Sequence, residues 1–108
     1  MLLCYLPNKR GGKVQEWKVE DRLFKRVKQQ GGLAFKFVSP GYAGVPDRIV
    51  IAPGGRIAFV ELKTTGMKPR KLQVKRIDML KKLGCQVYIV DSYDKVEEMI
   101  KEVFKDEV

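Results

Sequence analysis

Residues 44–63 read Gly44-Val45-Pro46-Asp47-Arg48-Ile49-Val50-Ile51-Ala52-Pro53-Gly54-Gly55-Arg56-Ile57-Ala58-Phe59-Val60-Glu61-Leu62-Lys63. Two apolar runs, Arg48 to Ala52 and Arg56 to Leu62, flank Pro53-Gly54-Gly55, so the stretch is expected to form an antiparallel hairpin. A three-residue loop pairs Ala52 with Arg56, and the same register sets Asp47 opposite Glu61. Directly opposed residues project to one face with Cβ atoms about 5 Å apart, near enough for two carboxylates to share a cation. A two-residue loop would break that parity. Glu61 and Lys63, two apart on a strand, share a face while Leu62 turns to the other.

Upstream of the hairpin, Gly, Pro and Ser dominate Ser39 to Pro46, a loop that leads straight into Asp47. Leu33 to Val38 reads as a short strand before it. Residues 14–30 have helical periodicity, with Trp17, Phe24 and Val27 as the expected inner stripe, Glu20 on that stripe, and Gly31-Gly32 as the stop. Downstream, Pro69 is placed to open a helix with inner residues Gln73, Ile77 and Leu80 and Gly84 as its stop. Gln86 to Val90 is a fourth strand. Ser92 caps a last helix that turns Val96, Met99, Ile100 and Val103 inward. The order is α-β-β-β-α-β-α, an α/β fold with a mixed four-stranded sheet flanked by helices.

A chain of 108 residues suits one modest core, so residues 1–108 are read as a single domain with its core at about 14–104. There is no histidine, and Cys4 and Cys85 form no CxxC pair. The usual zinc sites and histidine-based catalysis are thereby excluded, and both cysteines read as packing or surface residues. No apolar run approaches a membrane span, and Met1 to Leu6 is too short for one, so the expectation is an intracellular protein, not membrane-bound. The net charge of +9 is concentrated before residue 91, and the tail from Asp91 is acidic. That balance suits a polyanion, because Lys and Arg that neutralise phosphates release condensed counterions.

Hydrolysis of a phosphodiester requires an activated water and stabilisation of charge on the phosphate, both commonly supplied by a hard divalent cation on oxygen ligands. Asp47 and Glu61 offer carboxylates from adjacent strands. Lys63 brings an ammonium beside them, able to orient a water and stabilise negative charge. A Pro-Asp pair or a Glu-x-Lys strand alone is a weak signal; a Pro-Asp opening one arm of a hairpin whose other arm closes on Glu-x-Lys is a specific one. A carboxylate at Glu20, on an apolar stripe, is costly unless it is paired, metal-linked or solvated at the stripe's end. Gln73 is placed to hydrogen-bond a catalytic group or a phosphate, or to sit at a helix start as tolerated surface. Lys68, Lys71 and Lys75 follow one face at i, i+3, i+7 spacing, and with Arg70 they form the leading candidate for a phosphate-tracking surface. Tyr42, in the loop before Asp47, is either a DNA-contacting aromatic or part of a plain connector.

The stretch from Glu20 to Asp91 resembles the VRR-NUC family of PD-(D/E)xK nucleases, in the stand-alone type of phages and bacteria. The likeness is carried by Gly31-Gly32, Lys36-Phe37-Val38-Ser39-Pro40-Gly41, Gly44-Val45-Pro46-Asp47-Arg48, Glu61-Leu62-Lys63 and Gln73, about two thirds of the chain. The resemblance implies a restriction-endonuclease-like core and a Mg²⁺ or Mn²⁺ site from Glu20, Asp47, Glu61 and the main-chain carbonyl of Leu62. It further implies that Lys63 assists the water, that Gln73 stands nearby, and that a homodimer acts on branched DNA such as Holliday junctions. Lys68 departs from the family pattern, which often has a capping Ser before the Pro, so a looser start to that helix is expected. Two other readings stay open on the sequence: a catalytically silent nucleic-acid-binding module with the same fold, and a basic partner-binding protein.

Overall fold

The computed structural model describes residues 12–105. Cys4, the Met1 to Leu6 segment and the last three residues lie outside them. The elements run α1 (Glu16–Gln29), β1 (Leu33–Lys36), β2 (Arg48–Ala52), β3 (Arg56–Leu62), α2 (Lys71–Lys82), β4 (Gln86–Val90) and α3 (Tyr93–Val103), the order expected.

The hairpin has the expected three-residue loop. β2 and β3 pair antiparallel from Ala52 opposite Arg56 to Arg48 opposite Val60. Gly54 and Gly55 take φ of 91° and 81°, values that a Cβ disfavours, and the Gly55 N–H closes the turn on the Ala52 carbonyl at 3.0 Å. Continued one step, the register puts Asp47 opposite Glu61 where the hairpin opens. β1 pairs antiparallel with β2 and β4 pairs parallel with β3, so the sheet is mixed, in the order β1-β2-β3-β4.

The period of two divides the sheet into two different faces. Val50, Ala52, Ala58, Val60, Leu62 and Val90 point to one side, where they form the core with Val19, Leu23 and Val27 of α1 and Val96, Met99, Ile100 and Val103 of α3. Each fully buried large side chain here contributes about 1.5–3 kcal/mol. Arg26 of α1 and Glu97 of α3 join the two helices through contacts of 3.0 Å. Registers place Leu33, Phe35, Ile49, Ile51, Ile57 and Phe59 together on the opposite side. There α2 packs against β4, and Leu33, Phe35 and Ile57 remain exposed.

The inner stripe of α1 differs from expectation. It is Val19, Leu23 and Val27, while Trp17 is 62% exposed and Phe24 only partly buried. Glu20 and Trp17 lie on the flank of the stripe, which lets Glu20 keep partial contact with solvent. The last helix matches: Val96, Met99, Ile100 and Val103 are all buried and the Ser92 hydroxyl accepts the Lys95 N–H at 3.2 Å. Pro69 lies two residues before α2, whose N-cap is Arg70. The missing serine cap is compensated from inside the helix, because Gln73 Oε1 accepts the Arg70 N–H at 2.8 Å. Cys85 is half-buried. Among the described residues no helix is long and apolar enough to cross a membrane.

Candidate active site

The open end of the hairpin and the start of α2 meet around four side chains, Asp47, Glu61, Lys63 and Gln73. Glu61 ends the apolar run of β3 and is 2% exposed. Its Oε2 accepts two hydrogen bonds, from Gln73 Nε2 at 2.7 Å and from Lys63 Nζ at 3.1 Å. Lys63 Nζ also donates to Gln73 Oε1 at 3.1 Å. Gln73 therefore links the acid, the lysine and the first turn of α2 through one amide.

Asp47, the residue just before β2, approaches Glu61 from the other arm of the hairpin. The Leu62 N–H donates to Asp47 Oδ1 at 3.2 Å, which ties the aspartate to the strand that carries Glu61 and Lys63. Burial, and after it the negative charge of Asp47, push Glu61 above its ordinary carboxylate value of 4.5, while Lys63 and Gln73 pull the other way. Glu61 Oε1 is buried without a hydrogen-bond partner. An orphaned, desolvated carboxylate oxygen beside a second carboxylate is a place where a cation gains and a neutral group does not. The residues thus fit a hard divalent ion.

Glu20 does not join this pair directly. Its Oε2 accepts from Arg48 Nε at 2.7 Å and lies 2.6 Å from Arg48 Nη2. The third nitrogen, Nη1, contacts Asp47 Oδ2 at 3.2 Å and donates to the Asp47 carbonyl at 3.0 Å. Arg48 thereby connects Glu20 of α1 to Asp47, just before β2. Among the described residues no three acidic side chains converge at metal-holding separation, because Glu20 is taken up by Arg48. Sequence reasoning gave Arg48 no role. The signal was available: Arg48 shares the core face with Val50 and Ala52, and a cation there requires an acid, which Glu20 of the facing helix supplies.

The remaining candidates lie along α2 and the loop beside it. Lys68, Arg70, Lys71 and Lys75 are all exposed, on or just before the helix that supplies Gln73. Tyr42 is held rather than free: the Arg76 guanidinium stacks on its ring at 3.8 Å and donates to its hydroxyl at 3.1 Å. Arg76 Nε also donates to the Ala43 carbonyl at 2.9 Å. Gly44, with φ of +90°, passes so close that an added Cβ would lie 2.8 Å from Leu72 Cγ. The loop into Asp47 is thus pinned against α2.

In overall sequence and fold the chain is similar to known proteins. The chain is 47% identical over 81 residues to "Putative nuclease p44" of Acyrthosiphon pisum secondary endosymbiont phage 1, a match spanning 75% of this chain and 87% of that one. A solved structure described as a VRR_NUC domain superposes with a TM-score of 0.76 at 34% identity, covering 82% of this chain and 96% of the other. No family model matches the chain. Sequence and fold agree, and the chain belongs to the VRR-NUC family of nucleases.

Proposed function

We propose that this nuclease is a divalent-cation-dependent endodeoxyribonuclease that hydrolyses phosphodiester bonds in branched DNA, four-way junctions included, as a homodimer in a bacterial or phage-infected cytoplasm. The observation that carries the reading is Glu61: buried, with one oxygen orphaned and the other held by Lys63 and Gln73. Asp47, Glu61, the Leu62 carbonyl and, once released from Arg48, Glu20 would hold Mg²⁺ or Mn²⁺. Such an ion supplies charge neutralisation at the phosphate and lowers the pKa of a bound water.

The side chains have separate tasks. Lys63 presents its ammonium to the attacking water and to the oxygens of the phosphate. Gln73 fixes the direction of that ammonium. Water adds to phosphorus, the bond to one sugar oxygen breaks, and that oxygen leaves with a proton. The exposed cations on and just before α2, Lys68, Arg70, Lys71 and Lys75, track the DNA backbone, and Tyr42, in the loop before Asp47, contacts the DNA beside them. The open apolar sheet face at Leu33, Phe35 and Ile57 supports a second copy of the chain as partner, since two symmetric cuts need two sites. Residues 14–104 hold the whole catalytic unit on this reading.

The test is cleavage of labelled four-way junctions and matched linear duplex with Mg²⁺, Mn²⁺ or EDTA, for the native chain, Asp47→Ala and Lys63→Ala. Metal-dependent paired cuts at the junction, lost in both variants, are expected. Equal cutting of every substrate removes the selectivity for branches. Binding without cutting leaves a silent DNA-binding module.

A further inference from the structure

We infer that Trp17 is a stacking platform for an unpaired nucleobase beside the catalytic centre, a subsite that gives the nuclease its preference for splayed or branched strands. The inference rests on the nuclease reading above and adds to it a part of the substrate and the residue that receives it.

Tryptophan is a residue that folding usually hides. Here the indole stands 62% exposed on the first turn of α1, yet it is not loose: its Nε1–H donates to Gln15 Oε1 at 2.7 Å. It forms one wall of an open cleft of about 570 Å³, lined also by Lys13, Gln15, Glu16 and Thr64. That volume is in the range of small-ligand sites, roughly 300–1,000 Å³. The lining combines an aromatic face with amide, carboxylate and hydroxyl groups at its edge and one ammonium. A carboxylate among them disfavours a bare phosphate as occupant. A nucleobase suits the set: its face stacks on the indole, its N–H and carbonyl edge meets the polar groups, and Lys13 answers the phosphate that follows it. The Lys18 ammonium stands over the ring, 5.6 Å from its centroid, and adds positive charge beside it.

Position makes this cleft part of the site. Thr64 follows Lys63 directly in sequence, and its hydroxyl accepts the Glu16 N–H at 3.2 Å. Next to it, Val14 N–H donates to Thr65 Oγ1 and Thr65 N–H to the Val14 carbonyl, each at 3.0 Å. These bonds fasten the segment before α1 to the end of β3. Trp17 is also one helical turn before Glu20, so the two side chains are neighbours on the α1 surface. The platform is therefore rigid with respect to Lys63 and Glu20. Bases inside a duplex already have both faces stacked, so only an unpaired or splayed base can use it.

Trp17 is the only tryptophan in the chain, so its emission reports on the platform alone. Full-length protein is titrated in EDTA, where no strand is cut, with single-stranded, forked and blunt-duplex oligonucleotides. Strong quenching by the single-stranded and forked DNA, and much less by blunt duplex, is expected. Trp17→Ala should weaken forked-DNA binding about five- to 150-fold, the span measured for single base–aromatic stacks, and Trp17→Phe should recover most of the loss. Equal quenching by all three DNAs, or an unchanged affinity for forked DNA in Trp17→Ala of native circular dichroism, overturns the platform. So does emission that changes with protein concentration alone, together with loss of a dimer in Trp17→Ala, which would make the ring an interface between copies. Failure of the nuclease reading is distinct: the native chain would then cut no DNA in Mg²⁺ or Mn²⁺, whatever stands at residue 17.

Discussion

Arg48→Ala removes the one cation shared by Glu20 and Asp47, and its cost follows from the geometry. The Arg48 side chain is 9% exposed, that of Glu20 21% and that of Asp47 34%. Removing one partner of a fully buried pair costs about 3–5 kcal/mol, because the other charge is left desolvated. Both acids here keep part of their hydration, which lowers the expectation to about 2–3 kcal/mol. For a domain of this size each kcal/mol moves the melting temperature by about 4–8 °C, so a fall of roughly 10–20 °C is expected. Thermal and urea unfolding followed by circular dichroism in EDTA measure it. Glu20→Gln and the double variant complete a cycle, in which Arg48 and Glu20 should couple by about 1–3 kcal/mol. A loss under about 1 kcal/mol with no coupling would refute the reasoning, since the ion pair would then be behaving as a solvated surface pair.

Glu61→Gln should stabilise the metal-free protein at neutral pH while abolishing cleavage. The sign follows from the raised Glu61 pKa: between its ordinary and folded values the folded state binds the extra proton, so stability falls as pH rises through the folded value and stays lower above it. Urea midpoints of both proteins across pH 4–8 check this; a midpoint for Glu61→Gln below the native one at pH 8 contradicts it. Gly44→Ala should cost at least about 1–2 kcal/mol through its left-handed φ and the clash with Leu72, and should lower activity with it, as unfolding and cleavage assays would record. Exchanging Lys68, Lys71 and Lys75 for Gln should weaken duplex binding and reduce the slope of log affinity against log salt by about 0.9 for each phosphate no longer neutralised. An unchanged slope would place the DNA elsewhere.

The hairpin and its acids were legible because strand alternation and loop chemistry leave little freedom: once Pro53-Gly54-Gly55 forms a three-residue turn, Asp47 must face Glu61. The last helix was legible for a similar reason, four apolar residues at helical spacing behind a serine cap. α1 was misread because Trp17 and Phe24 fit the period as well as Val19 and Leu23 do. Hydrophobicity names the candidates, and only the way α1 packs against β1 and α3 decides which of them enter the core. Arg48 escaped because a charge at the end of a strand normally reads as solvated, and its partners lie 28 residues back and one residue away. The open sheet face was hidden too: Leu33, Phe35 and Ile57 look like core residues until α2 is seen to cover β4 and not them.

The side-chain amide of Gln73 has a consequence for how this protein can change. One oxygen receives both the backbone N–H that begins α2 and the ammonium of Lys63, so the same atom sets the register of a helix and the aim of the Lys63 ammonium. A substitution at this position cannot trade durability against turnover, as active-site changes commonly do; both would decline together. Selection for a sturdier protein and selection for a faster one should therefore leave glutamine in place, and attempts to improve either property would find their room in the surrounding residues instead.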